Sequence, residues 1–284
     1  MSQVHTLHRG PRRYSLNDST ATSAPAMVVV TNWVSRIIAA GGASPSANTI
    51  LTMTVFATGL YDKGIAAKMI NINCMVPDNI TAAITPLIAT QGSGSTGVSN
   101  TWSNSGFAGT DLSVAGLKGN GSNYLKTGVS PSSVINNNIG LSLYNTFNVS
   151  DSRNDFASPA TQLIVNYGPG SVYWSCYTDV ITGTPFSDNI GFVTGNRTDS
   201  THSYLYKARS DTALTQIAGP GSTPGTSTTY DLWLFCLNNN GSPYGQSNKR
   251  FSFAGIHNGL TATEAGILFT LVQAMRTSLG GGYS

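Results

Sequence analysis

The chain has 284 residues, of which 10% are charged, against roughly a quarter in an average soluble protein. Its 12 acidic side chains include one glutamate, Glu264, so there are few ways to build the carboxylate pair that most carboxylate-based catalysis needs. The net charge is +3, and a body this close to neutral gains little solubility from charge and associates readily. The composition favours a binding or assembly protein over an enzyme.

Residues 1–27 are predicted to form an extended N-terminal arm, because they are polar and lack apolar periodicity. The arginines of this arm all precede the first acidic residue of the chain. Ordering such a segment costs roughly 1–2 kcal/mol of backbone entropy per residue, which only contacts can recover. We expect docking onto an acidic groove of a partner protein rather than onto nucleic acid, for which three arginines supply a modest attraction. The contacting side chains would be Arg9, Arg12, Arg13 and Tyr14.

Residues 28–90 are predicted to form a small helical segment, because helical apolar spacing and helix-stop signals recur through them. The expected elements, in order, are a helix from Trp33 to Ala40, a second helix capped by Ser44 and Pro45, a strand from Met69 to Val76 and a short helix after Asp78 and Asn79. The pair Gly41 and Gly42 would end the first helix. Taken together, these elements indicate a helical attachment to a larger body.

From about residue 98 to residue 258 the helical period gives way to strand-like alternation. In the run from Ile139 to Val149, apolar and polar side chains point to opposite faces. Turn signals, such as Gly119-Asn120-Gly121, separate roughly ten such runs. Short strands at this spacing are typical of a β-sandwich or jelly roll. The chain is then expected to close with a C-terminal helix over residues 261–279, because Thr261 and Glu264 form a capping box.

The order of several short motifs resembles a known family. These motifs are Trp33-x-x-Arg36, Gly41-Gly42, Asp78-Asn79, Gly119-Asn120-Gly121-Ser122, Tyr124-Leu125-x-Thr127-Gly128, the strand ending near Tyr144, Gly195-Asn196-Arg197-Thr198, the turn from Leu237 to Gly241, the run from Phe251 to Gly255, and Gly259-Leu260-Thr261. In this order they resemble the concanavalin A/laminin G-like jelly-roll proteins of bacteriophage virions and prophage regions. The resemblance covers about residues 28–284 and leaves the arm outside.

The resemblance implies a mainly β fold, a concanavalin A/laminin G-like jelly-roll sandwich with a small N-terminal helical segment and a C-terminal helix. Residues 28–284 would then form one jelly-roll domain, with residues 28–90 and 261–279 packed onto it. It also implies a virion location, assembled in the host cytoplasm. The sequence shows no convincing signal peptide and no apolar run long enough to span a bilayer.

Enzymatic and metal-dependent functions are not predicted. Some jelly rolls of this shape are similar to glucanases, whose Glu-x-Asp-x-Glu strand motif needs two glutamates, and this chain has one. Calcium could bind at Asp151, Asn154 and Asp155, or at Asp188 and Asn189, but such clusters in turns more often bond the backbone. The sequence therefore predicts no catalytic residue, no metal and no cofactor.

Glycan binding is a separate hypothesis, which would need exposed aromatic rings beside polar groups. The aromatic residues with polar neighbours are Trp102, Tyr173, Tyr177, Tyr204, Tyr206 and Tyr244. The alternative interpretation is ordinary sheet surface, since tyrosine is favoured in strands. We interpret the chain as a non-enzymatic virion structural protein on a capsid or tail, anchored in part by its arm and contacting other virion proteins and copies of itself. The alternative is a carbohydrate- or receptor-binding module that attaches the particle to host surface glycans.

Overall fold

The computed structural model of the chain describes residues 23–90, 101–149, 151–167, 170–177, 179–183, 188–209, 212–221 and 225–281. Within these ranges the helices are α1 (Ala24–Ala39), α2 (Ala47–Asp62), α3 (Ile80–Ile84) and α4 (Ala262–Ser278). The strands are β1 (Met69–Asn73), β2 (Ile88–Ala89), β3 (Ser103–Ser105), β4 (Leu112–Ser113), β5 (Gly116–Lys118), β6 (Tyr124–Lys126), β7 (Ile139–Asn145), β8 (Phe156–Ser158), β9 (Thr161–Tyr167), β10 (Ser171–Cys176), β11 (Asp179–Thr182), β12 (Gly191–Arg197), β13 (Ser203–Ala208), β14 (Thr215–Gly221), β15 (Trp233–Leu234), β16 (Leu237–Asn239), β17 (Ser242–Tyr244) and β18 (Arg250–His257).

The strands form two packed sheets. The first, called here the inner sheet, has the order β14-β13-β12-β7-β18-β1-β2, with the β4–β5 hairpin also pairing with β18. The second, the outer sheet, has the order β11-β10-β9-β8-β15-β6-β3, with the β16–β17 hairpin beside β8. Leu143 and Val193 of the inner sheet share one hydrophobic core with Leu163 and Trp174 of the outer sheet. The predicted mainly β sandwich is confirmed.

A helical layer covers the other face of the inner sheet. A second hydrophobic core joins α1, α2 and α4 to Tyr144, Phe192 and Phe253 of the inner sheet. Phe56 of α2 packs edge-on against Phe253, with ring centroids 6.3 Å apart. Every residue of β7 is buried, because both faces of its sheet are covered. The predicted alternation of β7 is therefore present, but neither of its faces meets solvent.

Strands β1 and β2 lie in the segment that was predicted to be an attached helical unit. Strand β1 pairs with β18, and Ile72 lies opposite Gly255. Residues 28–90 thus supply part of the inner sheet as well as three helices. The strand expected from Met69 to Val76 ends at Asn73, and the side-chain oxygen of Asn73 accepts a hydrogen bond from Met75 N at 3.0 Å.

Helix α1 begins before its predicted start. Ser23 caps it, and Ala24 is its first residue, so residues 24–27 are helical rather than part of an extended arm. The buried stripe Ala26, Val30, Trp33 and Ile37 recurs at helical spacing and packs against the second core. This burial offsets the weaker helix propensity of the valine run. The rest of the predicted arm, with Arg9, Arg12, Arg13 and Tyr14, lies outside the described residues.

Helix α2 begins later than the Ser44-Pro45 pair suggested. Ser46 is its N-cap and accepts a hydrogen bond from Thr49 N at 3.2 Å. Asp78, from a distant loop, accepts from Ser46 N at 2.6 Å and from Thr49 Oγ1 at 2.7 Å. This tertiary contact sets the start of α2. By contrast, the predicted capping box of α4 is confirmed, with Glu264 N donating to Thr261 Oγ1 at 3.3 Å.

Gly195 is placed where no larger side chain fits. A Cβ atom there would lie 2.2 Å from Cδ2 of the buried Trp174, between the two sheets. We expect Gly195→Ala to lower the free energy of unfolding by about 1–3 kcal/mol through overpacking. Gly266→Ala in α4 is the matched control, because the new methyl group meets no atom within 4 Å. This substitution should raise the free energy of unfolding by up to about 1 kcal/mol, since alanine has the higher helix propensity. Urea denaturation of both variants tests this, and equal effects would contradict it.

Candidate functional site

The described carboxylates are used to hold the fold together. Most accept hydrogen bonds from backbone N–H groups or pair with basic side chains, as do Asp78, Asp111, Asp151, Asp155, Asp188, Asp199, Asp231 and Glu264. The exposed Asp62 at the end of α2 is an exception. Two of these carboxylates, Asp151 and Asp155, come together, but both pair with the ammonium of Lys249, and the side chain of Asp155 has no exposed surface. This pair is therefore not arranged as the acid–base pair of a glycosidase.

Asp151 and Asp155, which were weighed as a calcium site, bind a lysine instead. The ammonium of Lys249 lies 2.5 Å from Asp151 Oδ1 and 3.1 Å from Asp155 Oδ1. The side chains of Lys249 and Asp155 have no exposed surface. Burial raises the pKa of Asp155, while Lys249 and the N–H of Val165 act to lower it. The ammonium occupies the position that a calcium ion would take between these two carboxylates. Elsewhere, the described residues contain no cluster of three or more His, Cys, Asp or Glu side chains that could hold a metal ion.

A buried serine–histidine pair lies between the inner sheet and the helical layer. Ser142 Oγ is 2.7 Å from His257 Nε2 and 2.8 Å from Thr194 Oγ1. His257 Nδ1 lies 2.8 Å from the carbonyl oxygen of Asn258, which assigns the ring proton to Nδ1. Burial lowers the pKa of His257 to about 4. Neither Ser142 nor His257 has exposed surface, so the pair cannot reach a substrate and is structural.

The aromatic residues proposed for glycan binding do not form a platform. Trp102, Tyr177 and Tyr206 are buried. Their side chains cannot form part of a surface site, so the prediction is wrong for these three residues. The indole N–H of Trp102 donates to Asn71 Oδ1 at 3.0 Å. The sequence predicted an exposed Trp102 because its neighbours in the chain are polar. Of the others, Tyr173 is half-buried on the outer sheet, Tyr204 is half-buried on the inner sheet, and Tyr244 is 62% exposed on the β16–β17 hairpin.

A polar cleft of about 380 Å³ lies where β5, the end of β7 and the start of β18 meet. We call it the cation cleft. Its lining residues are Thr110, Asp111, Leu112, Ser113, Lys118, Gly119, Asn120, Phe147, Asn248 and Arg250. The sequence analysis missed this site. The available signal was the presence of Lys118 and Arg250 in a strand region with few charges, but nothing local indicates that they meet.

Lys118 and Arg250 are direct neighbours across two strands. Their Cα atoms are partners in the antiparallel pairing of β5 with β18. Both cations lie over the same ring: Lys118 Nζ is 4.8 Å and Arg250 Cζ 5.5 Å from the centroid of Phe147. Among the described residues, neither cation forms an ion pair, and the buried Nε of Arg250 has no hydrogen-bond partner.

Buried groups hold Phe147 in place under these cations. The fully buried Asn145 accepts from Phe147 N at 3.3 Å and donates to its carbonyl oxygen at 3.1 Å. Thr146 N donates to the carbonyl oxygen of Arg250 at 2.8 Å. The backbones of Phe147 and Arg250 are therefore positioned by hydrogen bonds, independently of any ligand.

A larger cleft, of about 540 Å³, lies beside the end of α2 and the start of β1. Its lining is apolar or neutral and consists of Tyr61, Gly64, Ala66, Ala67, Met69, Ile70, Thr90, Ser133, Val134, Ile135 and Asn258. Among the described residues of that lining, tyrosine is the one titratable type. The described lining therefore offers no charged group that would orient a polar ligand.

The outward side of α1 carries exposed apolar groups and no charge. Met27, Val28 and Ile38 are 54%, 58% and 55% exposed, and the remaining exposed positions of the helix are Ala24, Pro25, Thr31, Asn32, Ser35 and Ala39. We call this surface the α1 face. The single charged residue of the helix, Arg36, donates to the carbonyl oxygen of Pro86 at 2.7 Å. No helix of the described residues is both long enough and apolar enough to cross a membrane.

Comparisons with known proteins do not identify a family for this chain. No protein-family model matches the chain, and no curated protein matches it by sequence. Among solved structures, it is similar to domain 4 of AbnA, a GH43 extracellular arabinanase from Geobacillus stearothermophilus, in complex with arabinotriose. The identity is 11% and the TM-score 0.41, and the match covers 71% of this chain and 98% of that one. At these values the comparison assigns neither a family nor a ligand.

Proposed function

We propose that the chain is a non-enzymatic structural protein of a bacteriophage particle, one that docks onto neighbouring copies of itself through the α1 face. The virion setting rests on the resemblance of the sequence. The docking role rests on one observation, the uncharged and partly apolar outward side of α1. The bonding of the carboxylates within the fold supports the non-enzymatic part, because no free carboxylate pair remains for hydrolysis among the described residues.

The α1 face has the character of an interface. A helix on the surface of a monomer normally carries charged and polar side chains on its outward side. Here Met27, Val28 and Ile38 are more than half exposed. Exposed apolar groups that cluster on one side of an element mark a protein interaction surface.

The substitution Val28→Lys tests this role. We expect wild-type protein to self-associate as its concentration rises, and Val28→Lys to weaken that association at least tenfold, because a buried unpaired ammonium opposes docking. Val114→Lys is the matched control, since Val114 is 57% exposed against 58% for Val28 and lies in the β4–β5 turn. Sedimentation velocity measures the outcome. A monomer at every concentration, or equal loss in both variants, contradicts the proposal.

The second candidate function is attachment of the particle to host surface glycans. The observation that favours it is the cation cleft, a preformed concave site that combines charged, amide and hydroxyl groups. The aromatic residues suggested by sequence do not carry this candidate, because three of them are buried and the other three lie on three different strands. Attachment and assembly can coexist in one chain, since the cation cleft and the α1 face are formed by different elements.

A further inference from the structure

We propose that the cation cleft binds an acidic saccharide, a sugar whose carboxylate lies between Lys118 and Arg250. This inference names the class of ligand for the proposed attachment to glycans, and the choice of a saccharide rests on that proposed function. Its starting point is the cross-strand pair of Lys118 and Arg250, which is unfavourable in the free protein. Like charges directly opposite each other on a sheet are destabilising.

No ion pair among the described residues relieves this repulsion. Lys118 and Arg250 form no ion pair there, and the one described carboxylate in the lining, Asp111, accepts a hydrogen bond from Ala108 N at 2.9 Å. The Phe147 ring attracts both cations and holds them above the same side chain. Local conflicts of this kind are expected at functional sites. A bound carboxylate would face both cations and remove the conflict.

The net charge of the lining selects the class of anion. Lys118 and Arg250 against Asp111 leave one positive charge in the described lining, which matches a single carboxylate. A dianionic phosphate or a polyanion carries more negative charge than a lining of Lys118, Arg250 and Asp111 balances, and unbalanced like charges across an interface suppress such partners. A planar carboxylate also suits the fork of the Arg250 guanidinium.

The remaining lining fits the hydroxyl groups of a sugar. Thr110, Ser113, Asn120 and Asn248 contribute hydroxyl or amide groups, which can donate and accept hydrogen bonds. The cleft volume of about 380 Å³ lies at the lower end of the range for small-molecule sites. This size suits one or two sugar rings rather than a folded protein segment. Phe147 positions the cations, so the carboxylate and hydroxyl contacts would supply the specificity.

Stability of the free protein tests the like-charge pair. Lys118→Gln removes the repulsion and one cation–π contact, whereas Lys126→Gln removes no like-charge pair but two cation–π contacts, with Trp233 at 4.7 Å and with Tyr124 at 5.9 Å. Lys126 is also half-buried, and its strand partners are Ser103 and Trp233. At low salt, Lys118→Gln should therefore melt at a higher temperature than Lys126→Gln, by about 1–3 °C. Added salt should raise the melting temperature of wild type relative to Lys118→Gln. Equal melting of the two variants at all salt concentrations would overturn the inference.

Calorimetric titration tests the ligand. The probes are short oligomers of galacturonate, glucuronate and N-acetylneuraminate, each with a neutral analogue, and inorganic phosphate. We expect at least one acidic oligomer to bind, and its neutral analogue to bind at least tenfold more weakly. The affinity for that acidic oligomer should fall at least tenfold in Lys118→Gln and in Arg250→Gln. It should be unchanged in Lys126→Gln. Equal binding of the neutral analogue overturns the acidic ligand and leaves glycan attachment standing. Equal binding of phosphate, or no binding by any acidic oligomer, overturns the saccharide assignment of the cleft.

Discussion

Replacement of Lys249 by methionine should lower the free energy of unfolding by about 3–5 kcal/mol. The ammonium of Lys249 lies 2.5 Å from Asp151 and 3.1 Å from Asp155, and neither Lys249 nor Asp155 has exposed side-chain surface. Without the lysine, the buried carboxylate of Asp155 would be left uncompensated, which is costly in a low-dielectric interior. Denaturant unfolding of Lys249→Met at neutral pH measures the loss.

The controls for Lys249 separate burial from simple charge pairing. Lys68 pairs with Glu264 at 2.7 Å, but its side chain is 33% exposed, so Lys68→Met should cost no more than about 1 kcal/mol. Adding Asp155→Asn to Lys249→Met should restore part of the loss, because the unpaired charge is removed. If Lys249→Met is no more harmful than Lys68→Met, the buried cluster does not stabilise the fold as described.

The stability of the protein should fall by up to about 3 kcal/mol through His257 alone as the pH drops from 6.5 to about 4. Burial lowers the folded-state pKa of His257 to about 4, and the nearby charge of Lys68 acts in the same direction. In this pH range the unfolded chain binds a proton that the folded chain excludes, so protonation favours unfolding. The contribution of the neutral histidine is complete above pH 6.5 and is lost as the pH falls.

The variants His257→Gln and Thr194→Val distinguish this titration from a general loss of packing. His257→Gln removes the ionisable group, so its unfolding free energy should depend less steeply on pH than that of wild type. Thr194→Val removes a hydrogen-bond partner of Ser142 and Asn196 but keeps the histidine, and its loss should be similar at neutral pH and near pH 4. Urea unfolding at both pH values provides the comparison. Identical slopes for His257→Gln and wild type would contradict the assignment.

Local signals predicted much of the secondary structure, because caps and alternation act within a few residues of the positions they specify. The Thr261–Glu264 box caps α4, and Asn79 caps α3 by accepting from Ala82 N at 2.9 Å. The alternating run from Ile139 forms β7. These features depend on neighbours that are close in the chain.

The placement of the sites depended on contacts between distant segments. The start of α2 is set by Asp78, and the burial of Trp102 by its hydrogen bond to Asn71 and its place in the core. The cation cleft exists only because β5 pairs with β18 and sets Lys118 opposite Arg250. The sequence by itself determined the types of element, since propensity and capping are local. Tertiary structure alone decided which faces are covered and which charges meet, because both depend on the packing of segments far apart in the chain.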